Sequence, residues 1–258
     1  MKYSLSLGKP FGIKIAVHWT FLLLIIWIVA VNVQQGANTA QIIMSILFIL
    51  ALFVCVTLHE LGHSLAARRY GIETRSITLL PIGGMANIDD MPEKPKQEIV
   101  VTLSGLVVNV VIALLLWAII SIIPGYTFDA SFQSITSENF LILLMYVNLF
   151  VVAFNLIPAF PMDGGRILRA VLSFRMERIK ATKYSMMAGQ VFGVIFALIG
   201  LFINPFLFVI GLFVVIGARM EYNQVKFSSL LVDYKAQDIV MDDYSSLDQE
   251  EPLKNAVD

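Results

Sequence analysis

Long runs of apolar residues divide the chain into six segments. A run of about 17–25 such residues is long enough to cross the hydrocarbon core of a bilayer as a helix. The predicted spans are 15–33, 41–65, 99–123, 139–158, 185–203 and 205–218. The last span is the shortest, and only Asn204-Pro205 separates it from the fifth. The pattern therefore predicts an α-helical polytopic membrane protein with about six transmembrane helices.

One apolar stretch does not have the composition of a helix. Residues 76–88 read SITLLPIGGMANI, with Pro81 and the pair Gly83-Gly84 in the middle. β-branched residues favour strands, and proline and glycine favour the turn between them. Non-helical backbone at membrane depth is tolerated only against protein or a water-filled cavity. We therefore expect a membrane-embedded, β-hairpin-like segment here.

The composition supports a membrane protein. Hydrophobic residues make up 58% of the chain and charged residues 14%, and the mean hydropathy is +0.79. A soluble domain usually has about 25% charged residues, so a conventional soluble enzyme is excluded. Disordered chains are poor in apolar residues, so extensive disorder is excluded as well. The net charge of −1 gives no indication of a nucleic-acid partner.

The basic residues predict the orientation in the membrane. All 18 lysine and arginine residues lie in 1–14, 66–98, 159–184 and 219–258, on one side of the predicted spans. The opposite connections, at 34–40, 124–138 and 204, have none. Lysine and arginine are enriched in cytoplasmic loops, so we expect a multi-pass protein of the cell membrane with both termini in the cytoplasm. The basic stretch 166–183 is expected to lie as an amphipathic helix on the anionic leaflet.

Ionisable residues occur at the end of the second predicted span. His59, Glu60 and His63 belong to the sequence HELGH. On a helix, His59 and His63 lie one turn apart on the same face, so both imidazoles can reach one Zn²⁺. Glu60 is placed to act as the general base for an attacking water. Because ionisable groups in an apolar span are costly, their presence favours a function.

A catalytic zinc site usually has three protein ligands, so a third ligand is needed. Asp163 lies in NLIPAFPMDGG after the fourth span, where two prolines interrupt the helix and Gly164-Gly165 allow a close turn. Zn²⁺ would neutralise a buried carboxylate on this broken segment. We therefore favour Asp163 over His18, the remaining histidine. His18 would otherwise be an interfacial side chain beside Trp19.

Two motifs together resemble a known family. HELGH in a membrane span, followed about 100 residues later by NLIPAFPMDGG, resembles the site-2 protease family of intramembrane zinc metalloproteases. The similarity covers roughly residues 8–218, and it includes LLPIGG and the SGLVVN run at 104–109.

The resemblance implies a set of functional residues. His59, His63 and Asp163 would hold one Zn²⁺ per chain, and Glu60 would be the catalytic acid/base. Asn155 matches the asparagine of the NxxPxxPxDG motif of the family. Its amide could donate a hydrogen bond to the oxyanion of the tetrahedral intermediate, or it could equally cap broken backbone.

These residues predict a zinc metalloendopeptidase that hydrolyses membrane-spanning protein substrates near the cytoplasmic face. A substrate helix hides its amides in internal hydrogen bonds, so it must unwind before cleavage. We expect an edge strand at Ile82, Gly83, Gly84 and Met85 to pair with the unwound substrate; the alternative is a connector that only seals the site. A metal transporter and a non-catalytic membrane-protein binder using the same His/Glu cluster stay open as other functions.

The sequence predicts two regions. Residues 1–222 would form the membrane-embedded metalloprotease domain, and 223–258 a cytoplasmic tail. Residues 235–240 and 253–257 resemble the opening of a CBS domain, which prokaryotic members of the family carry. We therefore expect a truncated C-terminus, and an adenine nucleotide bound by the longer protein. The other expected partners are a transmembrane protein substrate and the lipid bilayer, without nucleic acid.

Overall fold

The computed structural model describes residues 4–81, 83–88, 92, 94–123 and 135–232. Within them lie seven α-helices: α1 (Phe21–Gln34), α2 (Thr39–Arg68), α3 (Pro95–Ile122), α4 (Phe140–Asn155), α5 (Asp163–Leu172), α6 (Arg178–Ile203) and α7 (Pro205–Val232). The four strands in this part of the chain are β1 (Ser4–Gly8), β2 (Lys14–His18), β3 (Thr74–Leu80) and β4 (Gly83–Ile88).

Four of the helices are long and apolar enough to cross a membrane. By length and composition these are α2, α3, α6 and residues Pro205–Ser229 of α7. Helices α1 and α4 are apolar as well, but they have only 14 and 16 residues. The protein is therefore a mostly helical membrane protein, and the crossing of all six predicted segments stays a prediction.

The first predicted span is wrong at its beginning. Residues 15–18 belong to β2, and helix α1 begins only at Phe21. Strand β2 lies inside a sheet, antiparallel to β1 and parallel to β3, and it buries Ile15 and Ala16. A short apolar run reads the same in a buried strand and in a helix, so hydropathy could not distinguish them.

The four strands form one sheet in the order β1-β2-β3-β4. Strands β3 and β4 are antiparallel and joined by a tight connection, with Leu80 opposite Gly83. The hairpin predicted from residues 76–88 is therefore present, although its embedding in the membrane stays a prediction. Strand β4 is at the edge of the sheet and packs against α2. Ile82 lies outside the described residues, as does the side chain of Met85.

Helices α2, α3 and α4 enclose the larger apolar core. Phe48 and Cys55 of α2 pack there with residues of α3 and α4, so Cys55 is a buried core side chain. Helices α6 and α7 form a separate, closely packed hairpin. A Cβ added at Gly193 of α6 would lie 2.7 Å from Val215 Cγ2, which shows how closely these helices approach.

Helix α7 continues past the predicted domain boundary at residue 222. It runs without interruption to Val232, so residues 223–232 continue the helix that begins at Pro205. The segments that resemble a CBS domain, at 235–240 and 253–257, lie outside the described residues, and that assignment stays a prediction.

Candidate metal centre

Helix α2 brings two histidines to the same face. A capping box formed by Asn38 and Gln41 begins this helix, which runs for 30 residues to Arg68. His59 and His63 lie one turn apart near its end, and only 7% and 3% of their surfaces are exposed. Their Nε2 atoms are 3.0 Å apart, as the spacing predicts.

Asp163, the first residue of α5, reaches the same point from another part of the chain. Its Oδ2 atom lies 3.3 Å from Nε2 of His59 and 3.2 Å from Nε2 of His63. The Gly164-Gly165 pair lets α5 begin against the loop before it, because a Cβ at either position would collide with backbone atoms of residues 156–160. The broken segment after α4 therefore delivers the carboxylate to the histidines.

Each imidazole makes a hydrogen bond through Nδ1, the ring nitrogen that does not face the other two ligands. His63 Nδ1 lies 2.9 Å from the carbonyl oxygen of Val101, and His59 Nδ1 lies 2.6 Å from Oδ1 of Asn109. A backbone carbonyl can only accept, so His63 donates from Nδ1–H and its Nε2 has a free lone pair. Gly105 packs directly on the His63 ring, with no room for a side chain between them.

The three donor atoms fit a zinc ion. Two ligands at about 2.0–2.1 Å from a tetrahedral zinc lie about 3.3 Å apart, and the three atoms are 3.0, 3.2 and 3.3 Å apart. Oδ2 of Asp163 is buried and makes no hydrogen bond within the described part of the chain. Converging nitrogen lone pairs and a carboxylate oxygen repel one another unless a cation lies among them. Two imidazoles and one carboxylate are a donor set typical of catalytic zinc.

Glu60 lies between the histidines and strand β4. It is half-buried, and Gly84 packs against it: a Cβ added to Gly84 would lie 2.9 Å from Glu60 Cγ. The Glu60 carboxylate is within electrostatic reach of both histidines and of Asp163. Strand β4 therefore passes directly beside the predicted general base.

The other predicted site residues have different surroundings. Asn155 ends α4 and donates a hydrogen bond from Nδ2 to the carbonyl of Val151 at 3.0 Å, which leaves one N–H of the amide available. His18 ends β2, where its Nδ1 lies 2.8 Å from Thr20 Oγ1. His18 is not a member of the His59–His63–Asp163 cluster, so the geometry favours Asp163 as the third ligand.

A buried ionic cluster lies next to the metal centre. Arg169 of α5, with 1% of its side chain exposed, donates from Nε to Glu98 of α3 at 2.8 Å and from Nη1 to Glu221 of α7 at 3.0 Å. Its guanidinium also lies 5.0 Å from the ring centre of Phe160. The expectation of one amphipathic surface helix over 166–183 is therefore wrong, because α5 ends at Leu172, α6 begins at Arg178, and Arg169 is buried.

Arg166 lies one turn before Arg169 on the same helix. Burial alone would lower the pKa of its guanidinium, but the carboxylates around it outweigh this effect and raise the pKa above its ordinary value. These carboxylates belong to Glu221, Asp163, Glu60 and Glu98. Arg166 therefore stays charged beside the metal centre.

Sequence reasoning missed three polar residues around the centre. Asn109 was visible only as the end of the SGLVVN run and received no role. Glu98 follows Lys96 and Gln97, so nothing in the sequence distinguished it from a solvent-exposed residue, and Asn148 received no role. A polar side chain in an apolar span could have indicated Asn148, because such residues usually face a partner inside the bundle.

The fold and the site define a membrane-embedded zinc hydrolase, and comparisons with known proteins specify the family. The profile of Peptidase family M50 matches residues 47–200. A zinc metalloprotease of Methanocaldococcus jannaschii is 39% identical over 241 residues, which cover 93% of this chain and 67% of the relative. Stage IV sporulation protein FB of Bacillus subtilis is 26% identical over 182 residues, covering 68% of this chain and 59% of that protein.

A solved structure agrees with these matches. The site-2 protease from Methanocaldococcus jannaschii superposes with a TM-score of 0.63 at 37% identity, covering 85% of this chain and 95% of that one. The chain therefore belongs to Peptidase family M50, the site-2 proteases, and it is a zinc metallopeptidase.

Proposed function

We propose that the protein is an intramembrane endopeptidase that hydrolyses membrane-spanning protein substrates near the cytoplasmic face. The observation that carries this proposal is the buried triangle of His59, His63 and Asp163 on and beside α2, a helix of membrane-crossing length. At 1.5 Å per residue, His59 lies roughly 30 Å from the start of α2 and roughly 14 Å from its end at Arg68. Arg68 and Arg69 lie at this second end, which is the predicted cytoplasmic end, so the site is nearer to the cytoplasmic face.

The residues around the triangle have separate chemical tasks. A bound zinc ion would act as a Lewis acid and lower the pKa of a water. Glu60 takes the proton of the attacking water and passes it to the leaving amine. Asn155 uses its remaining N–H to stabilise the oxyanion. Arg166 adds a fixed positive charge beside the developing negative charge.

Strand β4 is the proposed docking strand for an unwound substrate. It pairs with β3 on one side only, within the described residues, and Gly84 touches Glu60. Successive residues of a strand direct their N–H groups to opposite edges. Proline at Met85 and proline at Ala86 therefore test different edges, and we expect the one on the free edge to stop cleavage while zinc stays bound. Full cleavage by both variants would contradict the docking.

The membrane topology and the binding partners are also part of the proposal. We infer six crossings, with α1 and α4 completing the four longer helices, and both termini in the cytoplasm because every basic residue lies on that side. The partners are then the bilayer and a transmembrane protein substrate. A CBS domain after residue 232 would add an adenine nucleotide.

The proposal is tested with the protein reconstituted in liposomes and a single-span fusion protein as the probe, with an Asn-Pro pair in its membrane helix. Wild type is compared with Glu60→Gln and Asp163→Ala. We expect Glu60→Gln to keep its zinc and lose cleavage by about 10²-fold or more, and Asp163→Ala to lose zinc as well. Equal cleavage by Glu60→Gln would refute the peptidase mechanism. Zinc uptake into the liposomes without cleavage would favour the transporter.

A further inference from the structure

A buried chain of side-chain amides connects the metal centre to α4. Asn109 of α3 and Asn148 of α4 are 1% and 0% exposed. Asn109 Nδ2 lies 2.8 Å from Asn148 Oδ1, and Asn148 Nδ2 lies 2.8 Å from the carbonyl oxygen of Leu144. With the 2.6 Å contact between Asn109 Oδ1 and His59 Nδ1, the hydrogen bonds run across three helices.

The direction of these hydrogen bonds is fixed at one end. The Leu144 carbonyl can only accept, so Asn148 must donate to it from Nδ2. Asn148 Oδ1 is then the acceptor for Nδ2 of Asn109. Asn109 therefore turns its own Oδ1 towards His59, where it can only accept from Nδ1–H.

We propose that Asn109 and Asn148 are positioning residues that set the tautomer and the ring orientation of His59. A proton on Nδ1 leaves the lone pair on Nε2, the atom that faces His63 and Asp163. A ligating histidine usually needs such a partner on its other nitrogen. His63 uses the backbone carbonyl of Val101 for the same purpose, so His59 is the ligand whose orientation depends on side chains.

The inference rests on His59 as a zinc ligand, and its test measures zinc binding without any substrate. Zinc affinity is measured by chelator competition for wild type, Asn109→Leu, Asn109→Asp and Asn148→Leu. We expect Asn109→Leu to weaken zinc binding about 10–100-fold, since it removes the acceptor for Nδ1–H. Asn109→Asp keeps an acceptor oxygen for Nδ1–H but loses the donor to Asn148 Oδ1, so its loss should be clearly smaller than that of Asn109→Leu. Asn148→Leu should fall between wild type and Asn109→Leu.

A matched control separates positioning from general packing. Asn32 of α1 is a half-buried amide that also bonds another helix, accepting from Ser45 of α2 at 3.2 Å, but it is not among the residues of the metal centre. Asn32→Leu should keep the wild-type zinc affinity even where it lowers the thermal stability. The chain has three histidines, so ¹⁵N-histidine spectra can report the tautomer directly. We expect Nδ1 of His59 to lose its proton in part of the Asn109→Leu molecules.

Three results would overturn the inference. Asn109→Leu within about twofold of the wild-type affinity would show that His59 needs no side-chain partner. An equal loss in Asn109→Leu and Asn109→Asp would assign the effect to packing. Wild-type affinity in Asn148→Leu would remove Asn148 from the proposal. Zinc binding that follows the expected order in a protein that cleaves nothing would refute the peptidase and leave the positioning role intact.

Discussion

Gly105→Ala adds one methyl group to the face of a metal ligand. The new Cβ would lie 2.9 Å from Cδ2 of His63 and still closer to Cε1 and Nε2. Carbon atoms pack at about 3.5–4.0 Å, so the ring must move by at least about 0.6 Å. Zinc–ligand distances tolerate only about ±0.2 Å. We therefore expect zinc binding at least 10–100-fold weaker, the loss that follows removal of an outer hydrogen-bond partner.

Chelator competition on the purified protein measures this loss, and Gly193→Ala is the control. Its Cβ would lie 2.7 Å from Val215 Cγ2 and 2.9 Å from the carbonyl of Gly211, so it also crowds two helices. Overpacking of this kind costs about 1–3 kcal/mol of stability, but it leaves the metal centre untouched. If Gly105→Ala and Gly193→Ala bind zinc with the same affinity, the close packing of Gly105 on the His63 ring does not position this ligand, and the reasoning is refuted.

Two further substitutions test neighbours of the centre. Gly84→Ala should lower kcat by about tenfold or more without loss of zinc, because its Cβ, 2.9 Å from Glu60 Cγ, displaces the general base; an unchanged kcat would contradict this. Arg169→Leu should destabilise the fold by about 3–5 kcal/mol, because Glu98 is left buried without its partner. Denaturation curves should show part of this stability restored in Arg169→Leu combined with Glu98→Gln.

The features that depend on residues close together in the chain were predicted from the sequence. The i, i+4 spacing of His59 and His63 fixes their relation within one helix, so the sequence alone was sufficient for this pair. The strand-forming and helix-breaking residues of 76–88 indicated the hairpin of β3 and β4, although Gly83 and Gly84 lie in β4 and not in the turn. These features depend on neighbours in the chain, and they did not require knowledge of the tertiary structure.

The remaining features depend on residues far apart in the chain. Arg169 lies in a basic stretch by sequence, but its partners Glu98 and Glu221 are 71 and 52 residues away. Strand β2 was assigned to a helix because its partners β1 and β3 decide its conformation, and β3 follows only after α2. Non-local pairing of this kind overrides local preference and has no periodic signal.

The charges around the centre explain why it suits a divalent cation. Four carboxylates and two guanidiniums lie together there, belonging to Glu60, Glu98, Asp163, Glu221, Arg166 and Arg169. They leave two negative charges uncompensated at a largely buried site, where unpaired charge is costly, and one Zn²⁺ would neutralise both. Removing the metal with a chelator should therefore lower the melting temperature, and it should do so less in Glu60→Gln, which has one such charge fewer. Thermal unfolding with and without chelator measures both shifts. An equal shift in the two proteins would show that the metal stabilises the fold through its ligands alone.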